Sequence, residues 1–427
     1  MRRILVLCLL AFSLHAQDSD RRVQWLADHA VRLRSIAPDD VDFKDLEPLR
    51  TTLKGVRVVL LGEQSHGDGN TFLAKTRLIR FLHEQMGFDV LVFESGLYDC
   101  AKAWDLRDPS RGIFRIWSAS KEVQPLLDYL GARAKSERPL ELAGTDCQLT
   151  GPASKEFLVQ DLAAFLNRID PKLAQGTEWD RVVRVIGHLL EGSWELETEP
   201  VPSLKEQTSF VQTIERWRSL IASHDKSPAT RPWSGAYWRQ LLASLRVFAE
   251  QNWRTDNKDL RGNPEVFAMR DRQMGKNLVW LAKERYPNRK LIVWAATFHN
   301  ARALGSIETG DPKLDRLYDG NMPMGEVAWK ELGGKVYSLG FASYEGEFGT
   351  RFAKEATPIV RPSRDSLEDL FARAGLTNAF VDFRRPPRWL RTPIVARLLG
   401  YTEMRADWTR VVDGVVFLRT MQRSHKP

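Results

Sequence analysis

The stretch Val58–Asn70, "VVLLGEQSHGDGN", decides how the rest of the chain is read. Four apolar residues run without a polar break and give way at once to Gly62, Glu63, His66 and two further glycines. An unbroken apolar run of this kind fits a strand buried on both faces, as in parallel sheets covered by helices. The following "FLAKTRLIRFLHEQMG" (72–87) places Phe72, Leu78, Ile79, Leu82 and Met86 at roughly helical spacing, and Gly87 supplies the stop. Strand, polar loop and helix together read as the start of an α/β unit.

Working outward, "DVLVFES" (89–95) and "LELAGTD" (140–146) read as the next strands. Residues 151–285 then lack convincing strands. They carry long helical-period stretches such as "KEFLVQDLAAFLNRI" (155–169) and "SFVQTIERWRSLI" (209–221). Trp179, Trp194, Trp217, Trp233, Trp238 and Trp253 fall in this region, where packing in a core is the plain reading and lining of an apolar cleft the sharper one. Strands resume at "KLIVWAAT" (290–297), "KVYSLGFAS" (335–343), "NAFVDF" (378–383) and "VVDGVVFLR" (411–419), with a capped helix at "SLEDLFARAG" (366–375). The expected fold is α/β, a mostly parallel sheet flanked by helices, with a large all-helical insertion. The expected division is 1–16 signal peptide, 17–150 first part of the α/β domain, 151–285 insertion and 286–427 second part. No internal repeat or low-complexity linker interrupts it.

The opening "MRRILVLCLLAFSLHAQ" has two arginines, a short apolar run and a small residue at Ala16, the layout of a secretory signal. That run is too short for a resident bilayer helix, and no later stretch is apolar enough to span one. An exported, periplasmic or secreted protein is expected, with no stable membrane insertion after cleavage. Cys100 and Cys147 then remain, open between a disulfide and two buried thiols. The 63 Lys+Arg against 55 Asp+Glu give a net +8, a mild excess spread along the chain. With no basic stripe, zinc-finger spacing or RNP-like segment, nucleic acid is not an expected partner.

Four strands end in polar groups: Glu63 with His66, Glu94, Asp146, and Thr297 with His299. Open α/β sheets bind ligands at the carboxyl ends of their strands, where such groups converge. The helix "AMRDRQMGKNLVWLA" offers Arg270, Asp271 and Asn277 nearby. Hydrolysis is the chemistry this set allows: an imidazole takes a proton from water, a carboxylate orients the ring, and Arg270 or Lys75 stabilises the oxyanion. Each residue also has a bland reading: His66 as a loop hydrogen-bonder, Glu94 as a helix cap, Asp146 as a turn former, Arg270 and Asp271 as a surface ion pair. The remaining histidines His29, His83, His188, His224 and His425 are read as structural. A G-x-S-x-G elbow, a P-loop and a dinucleotide fingerprint are all absent.

"LLGEQSHGDGNTFLAKTRLIRFLHEQMGFDVLVFES" resembles the opening of the erythromycin esterase family, G-E-x-[ST]-H, a helix, then G-F and a strand ending in Glu. "MRDRQMGKNLVWL" resembles that family's R-D-x-x-M-x-x-N helix, "KLIVWAATFHNA" its later histidine-bearing strand, and "PMGEVAWKELGGKVYSLGFASYEGEF" with "VVDGVVFLRT" its closing segments. The resemblance runs from Val56 to Thr420 and implies a cleft between sheet and insertion, where activated water opens an ester or macrolactone. Carried over, it implies His66 as general base, with Glu63, Glu94 and Arg270 in the site and Lys75 at the place of a site arginine; His299 is expected to complete the catalytic set, and Lys75 and Asp146 to bind substrate. The chain departs from the pattern at Lys75, where the family carries arginine, and at Ala296, where the family's H-N-x-H has its first histidine. No cofactor is expected. A divalent metal in a metal-assisted hydrolase or transferase, and a non-catalytic binding paralogue, stand as the alternatives. The expected partner is a small-molecule ester or macrolide-like substrate.

Overall fold

The computed structural model describes residues 18–191, 201–255 and 263–427. The apolar N-terminal run and Trp194 lie outside the described residues. The strands are β1 (Val31–Arg32), β2 (Val58–Leu61), β3 (Val90–Gly96), β4 (Glu141–Asp146), β5 (Leu291–Trp294), β6 (Val336–Phe348), β7 (Thr357–Pro358), β8 (Asn378–Asp382), β9 (Ile394–Ala396), β10 (Met404–Ala406) and β11 (Gly414–Met421). Their order in the main sheet is β1-β8-β11-β6-β2-β5-β3-β4, with β7 on β6, while β9 and β10 form a separate pair. From β11 to β4 every neighbouring pair is parallel. The two contacts at the other edge, β8 on β11 and β1 on β8, are antiparallel. The expected mostly parallel α/β sheet is present.

Alternation explains the unbroken apolar strands. Val58, Leu60, Val90, Val92, Leu291 and Val293 pack into one core, against the helices that follow β4. Val59, Leu61, Leu91, Phe93, Ile292 and Trp294 pack into a second core on the opposite face. Successive side chains of a strand point to opposite faces, so a strand covered on both sides needs apolar residues at every position. Helix α1 (Gly69–Met86) covers the second face with Phe72, Leu78, Ile79 and Leu82. It ends where Gly87 takes a left-handed φ of 72° and donates its N–H to the Leu82 carbonyl, a conformation glycine adopts without steric cost.

Helix α2 (Leu97–Leu106) leaves the end of β3. Between β4 and β5 run α3 (Pro152–Ile169), α4 (Gly176–Glu191), α5 (Leu204–His224), α6 (Gly235–Arg254) and α7 (Pro264–Trp280), with no strand among the described residues. Trp217 and Trp238 are core residues, and Trp179, Trp233 and Trp253 pack against the same core. Cys100 and Cys147 are both free and buried, which closes the disulfide question. No helix among the described residues is long and apolar enough to cross a membrane.

Candidate active site

Four adjacent strands deliver the site. In the order β2-β5-β3-β4 their carboxyl ends carry Glu63, then Ala296 with His299, then Glu94, then Asp146. His299 lies on α8 (Thr297–Asn300), one helical turn after β5, and Thr297, expected at the strand's end, begins that turn. The turn after β2 is tight because Gly62 abuts Thr297: a Cβ on Gly62 would overlap the Thr297 hydroxyl.

Glu63 is the hub of one half. Its Oε1 accepts from Nδ1 of His66 at 2.8 Å and from the indole Nε1–H of Trp117 at 2.9 Å. Its Oε2 accepts from the Lys75 ammonium at 2.8 Å. Lys75 itself is fully buried and sits 4.0 Å from the centre of the Trp294 ring. Burial alone would raise the Glu63 carboxyl, but Lys75 and His66 override it and hold it below the usual carboxylate range. Burial pulls the Lys75 ammonium down to about 8 against the pull of Glu63. For His66, burial lowers the ring's pKa while Glu94 and Glu63 raise it, and the net direction is up. The His66 side chain is 33% exposed, and Trp117 meets its ring edge-on at 4.9 Å. A carboxylate can only accept, so Nδ1 carries the hydrogen and Nε2 is left as the acceptor of the neutral ring.

Glu94 is the hub of the other half. Its Oε1 receives Nη2 of Arg270 and Nε2 of His299, each at 3.1 Å, and its Oε2 receives the backbone N–H of Ala296 at 2.9 Å. Burial would raise this carboxyl, but His299, His66 and Arg270 together hold it well below the usual range. The other nitrogen of His299 meets Asp271 at 2.5 Å, and Asp271 also accepts from Asn321 at 3.4 Å. Against the downward push of burial, Glu94 and Asp271 bring His299 up to about 10, so it stands as an imidazolium with both N–H groups spent. Arg270 reaches Asp146 from Nε at 3.1 Å and from Nη2 at 2.5 Å, while its Nη1 makes no hydrogen bond to a described residue. The surface-pair reading of Arg270 and Asp271 is therefore corrected: the two face different partners in one buried network. Asn277 does not reach the site. It binds the Thr145 carbonyl, Gln240, Gln273 and Ser244, anchoring α7 beside β4.

Both halves open on one cavity of about 390 Å³. His66, Glu94, Asp146, Arg270, Asp271 and His299 contribute to its wall, with Phe114, Phe248, Phe267 and Phe298 as the apolar part. None of the insertion's described tryptophans lines it. Glu63 and Lys75 lie behind His66, so Lys75, expected against the substrate, touches Glu63 instead. Nε2 of His66 is 3.9 Å from Glu94, beyond a hydrogen bond, and faces this space. Asp146 lines the cavity but is occupied by Arg270. Sequence reasoning missed Trp117, the Ala296 N–H and the four phenylalanines. Asp271, named beside Arg270 but with a surface ion pair as its plain reading, joins the site through His299. Among the described residues no group of three or more His, Cys, Asp or Glu is arranged to hold a metal ion.

The fold is thus an open, mostly parallel α/β sheet whose strand ends gather charge-paired side chains in one cavity, where such sheets bind their ligands. The erythromycin esterase family model matches residues 83–421, and the chain belongs to that family. It is 26% identical to YbfO of Bacillus subtilis (strain 168), a hydrolase by name, over 97% of this chain and 95% of that one. It is 24% identical to the type II erythromycin esterase of Escherichia coli, over 92% of this chain and 96% of that one. Among solved structures, the erythromycin esterase mutant EreC in its open conformation superposes with a TM-score of 0.67 at 17% identity, covering 91% of this chain and 96% of that one. A Bacillus cereus protein of known structure superposes at a TM-score of 0.75 and 19% identity, covering 96% and 99%.

Proposed function

We propose that this protein hydrolyses a carboxylic ester or macrolactone by water activated at His66. The observation that carries the reading is the Glu63–His66 pair, with Nδ1 committed to the carboxylate and Nε2 turned to the cavity beside Arg270. In this reading Nε2 takes a proton from water as the oxygen attacks the ester carbonyl. Glu63, kept ionised by Lys75, stabilises the imidazolium that forms. The oxyanion meets Nη1 of Arg270, whose other donors are held by Asp146 and Glu94. As the tetrahedral adduct collapses, the C–O bond breaks and the His66 proton goes to the leaving alkoxide. Glu94, with both oxygens already accepting, holds Arg270 and His299 in place and is poorly suited to take a proton. A macrolide-like substrate, export through the N-terminal apolar run, and action in the periplasm or outside the cell belong to the same proposal. Both E. coli relatives that bear the name erythromycin esterase support the substrate class.

The test is turnover of a panel of macrolides and aryl esters by wild type and His66→Ala, with products weighed by mass spectrometry. Hydrolysis adds one water to the substrate. Wild-type turnover lost in the variant supports the reading, and equal inactivity of both proteins with retained ligand binding sinks it. N-terminal sequencing of the protein recovered from a periplasmic extract tests export.

A further inference from the structure

We propose that the segment Gln422–His425 is a strap that positions the catalytic base, by tying together the two segments that donate to Glu63. The proposal rests on the hydrolase reading of His66. His66 lies on the turn after β2 and Trp117 on the short helical turn Arg115–Ser118 with its following segment, and both donors end on the same oxygen, Oε1 of Glu63. The strap is hydrogen-bonded to each. On the His66 side, the Gly69 N–H donates to the Gln422 carbonyl at 2.8 Å, and the Ser424 N–H donates to the Gly67 carbonyl at 2.9 Å. On the Trp117 side, the Ser424 hydroxyl meets that of Ser120 at 2.7 Å, the Lys121 N–H donates to the His425 carbonyl at 2.9 Å, and the His425 N–H donates to Glu122 at 3.0 Å. The His425 ring meets Glu122 at 2.8 Å, and Glu122 also accepts from Ser120 at 2.8 Å.

Ser424 is fully buried between the two segments, so its own bonds are made out of water, where geometry is held most firmly, while the His425–Glu122 pair lies at the surface. The far side of the His66 turn is closed separately. Asp68 accepts from the Ser65 N–H and from the Tyr401 hydroxyl, each at 2.9 Å. Gly67 is pressed so closely on Gly349 that a Cβ there would overlap its carbonyl carbon. A second bridge, Gly349–Arg351, gives the Gly349 N–H to the Gly67 carbonyl at 3.3 Å and the Arg351 guanidinium to the Ala119 carbonyl at 3.0 Å, but the strap makes the larger number of hydrogen bonds to both sides.

The groups facing His66 are Glu63, Glu94, His299, Asp68 and, through Glu63, Lys75. Its bond to Glu63 spans the turn whose Gly67–Gly69 end the strap holds. Loosening the strap therefore weakens the Glu63 pull and lets the ring titrate at lower pH, while the Glu94 contribution stays. The test is the NMR titration of the His66 imidazole, with kcat and KM on the best ester, in full-length Ser424→Pro, Glu122→Ala and Glu122→Gln. Ser424→Pro removes the N–H given to Gly67. Glu122→Ala removes the acceptor for His425 and Ser120, and Glu122→Gln keeps a neutral one.

Expected are a lower His66 titration midpoint in Ser424→Pro and Glu122→Ala, a fall in kcat of roughly tenfold or more with KM little changed, and partial recovery in Glu122→Gln. An unmoved His66 midpoint in the folded variants overturns the strap, as does a kcat loss that Glu122→Gln does not relieve. If Ser424→Pro does not fold, the Glu122 pair decides alone. The NMR midpoint needs no substrate, so a wild type inactive on every ester would sink the hydrolase reading while the strap's hold on His66 is still read directly.

Discussion

Nδ1 of His66 lies 2.8 Å from Oε1 of Glu63, and that oxygen is shared with the indole of Trp117. One carboxylate oxygen thereby fixes the tautomer, the plane and the charge response of the only site histidine with a nitrogen turned to the cavity and unbonded to any described residue. His299, with both nitrogens taken, is held as a permanent donor. The two site histidines are thus set apart by their partners: one poised to change protonation, the other held against it.

Replacing the indole of Trp117 tests the shared oxygen. Trp117→Phe keeps an aromatic ring against His66 but removes the N–H. We expect a fall in kcat of about tenfold, with a stability loss of roughly 1–2 kcal/mol for the lost charge-assisted bond. Stopped-assay kinetics and a urea melt on the same preparation measure both. Unchanged kcat would show that His66 and Lys75 alone hold Glu63.

The pH dependence follows from the direction of the His66 shift. In the proposed mechanism the base works only when neutral, so kcat/KM is expected to fall as pH drops through the His66 value, which lies above that of an ordinary imidazole. Glu63→Gln removes one of the two carboxylates that raise it. The acid limb then moves to lower pH as the maximum rate drops. A limb that stays in place would assign it to another group.

Stability carries the mark of His299. The ring keeps its proton to about 10 in the folded protein, against about 6.5 in the unfolded chain. Its stabilisation is therefore fully present below about pH 6.5 and is lost as pH rises through about 10. Thermal melts of wild type and His299→Asn should show a gap that narrows across this window. The opposite contribution of Lys75, whose pKa is lowered, is common to both proteins and cancels in the comparison. A gap that widens toward high pH would contradict the protonated ring.

Lys75 is fully buried with its charge on Glu63. Lys75→Met leaves the buried Glu63 without its ammonium, a change that costs about 3–5 kcal/mol when one partner of a buried pair is removed. Chemical denaturation reads it. Lys75→Arg keeps the charge and should lose less than Lys75→Met. Equal losses would point to packing against Trp294 instead of charge.

Chelation separates water activation from metal assistance. Binding a metal at Glu94 or His299 would require breaking bonds that each already makes with a protein partner. Turnover should survive treatment with a strong chelator and dialysis. Loss of activity restored by a single divalent ion would favour the metal-assisted alternative.

Much of the framework was legible along the chain. The apolar runs at Val58, Val90 and Leu291 read as doubly covered strands because burial on both faces removes the alternation that polar positions would leave. Gly87 read as a stop because an αL cap favours glycine. The clustering of Glu63, Glu94, Asp146 and His299 was legible only as a tendency of strand ends. The sequence by itself determined which elements form and which end of each carries polar groups, since both follow from local periodicity and burial. Tertiary structure alone decided that β5, arriving after the helices of residues 152–280, slots between β2 and β3 and so puts His299 on Glu94. It also decided that Trp117 and Lys75 share Glu63, that Ala296 serves through its backbone N–H, and that Arg270 turns away from Asp271. The Ala296–Glu94 bond alone joins positions 202 residues apart. No local pattern records these pairings, because a side chain's partner is set by which strands lie side by side, and that order is a property of the whole packed sheet.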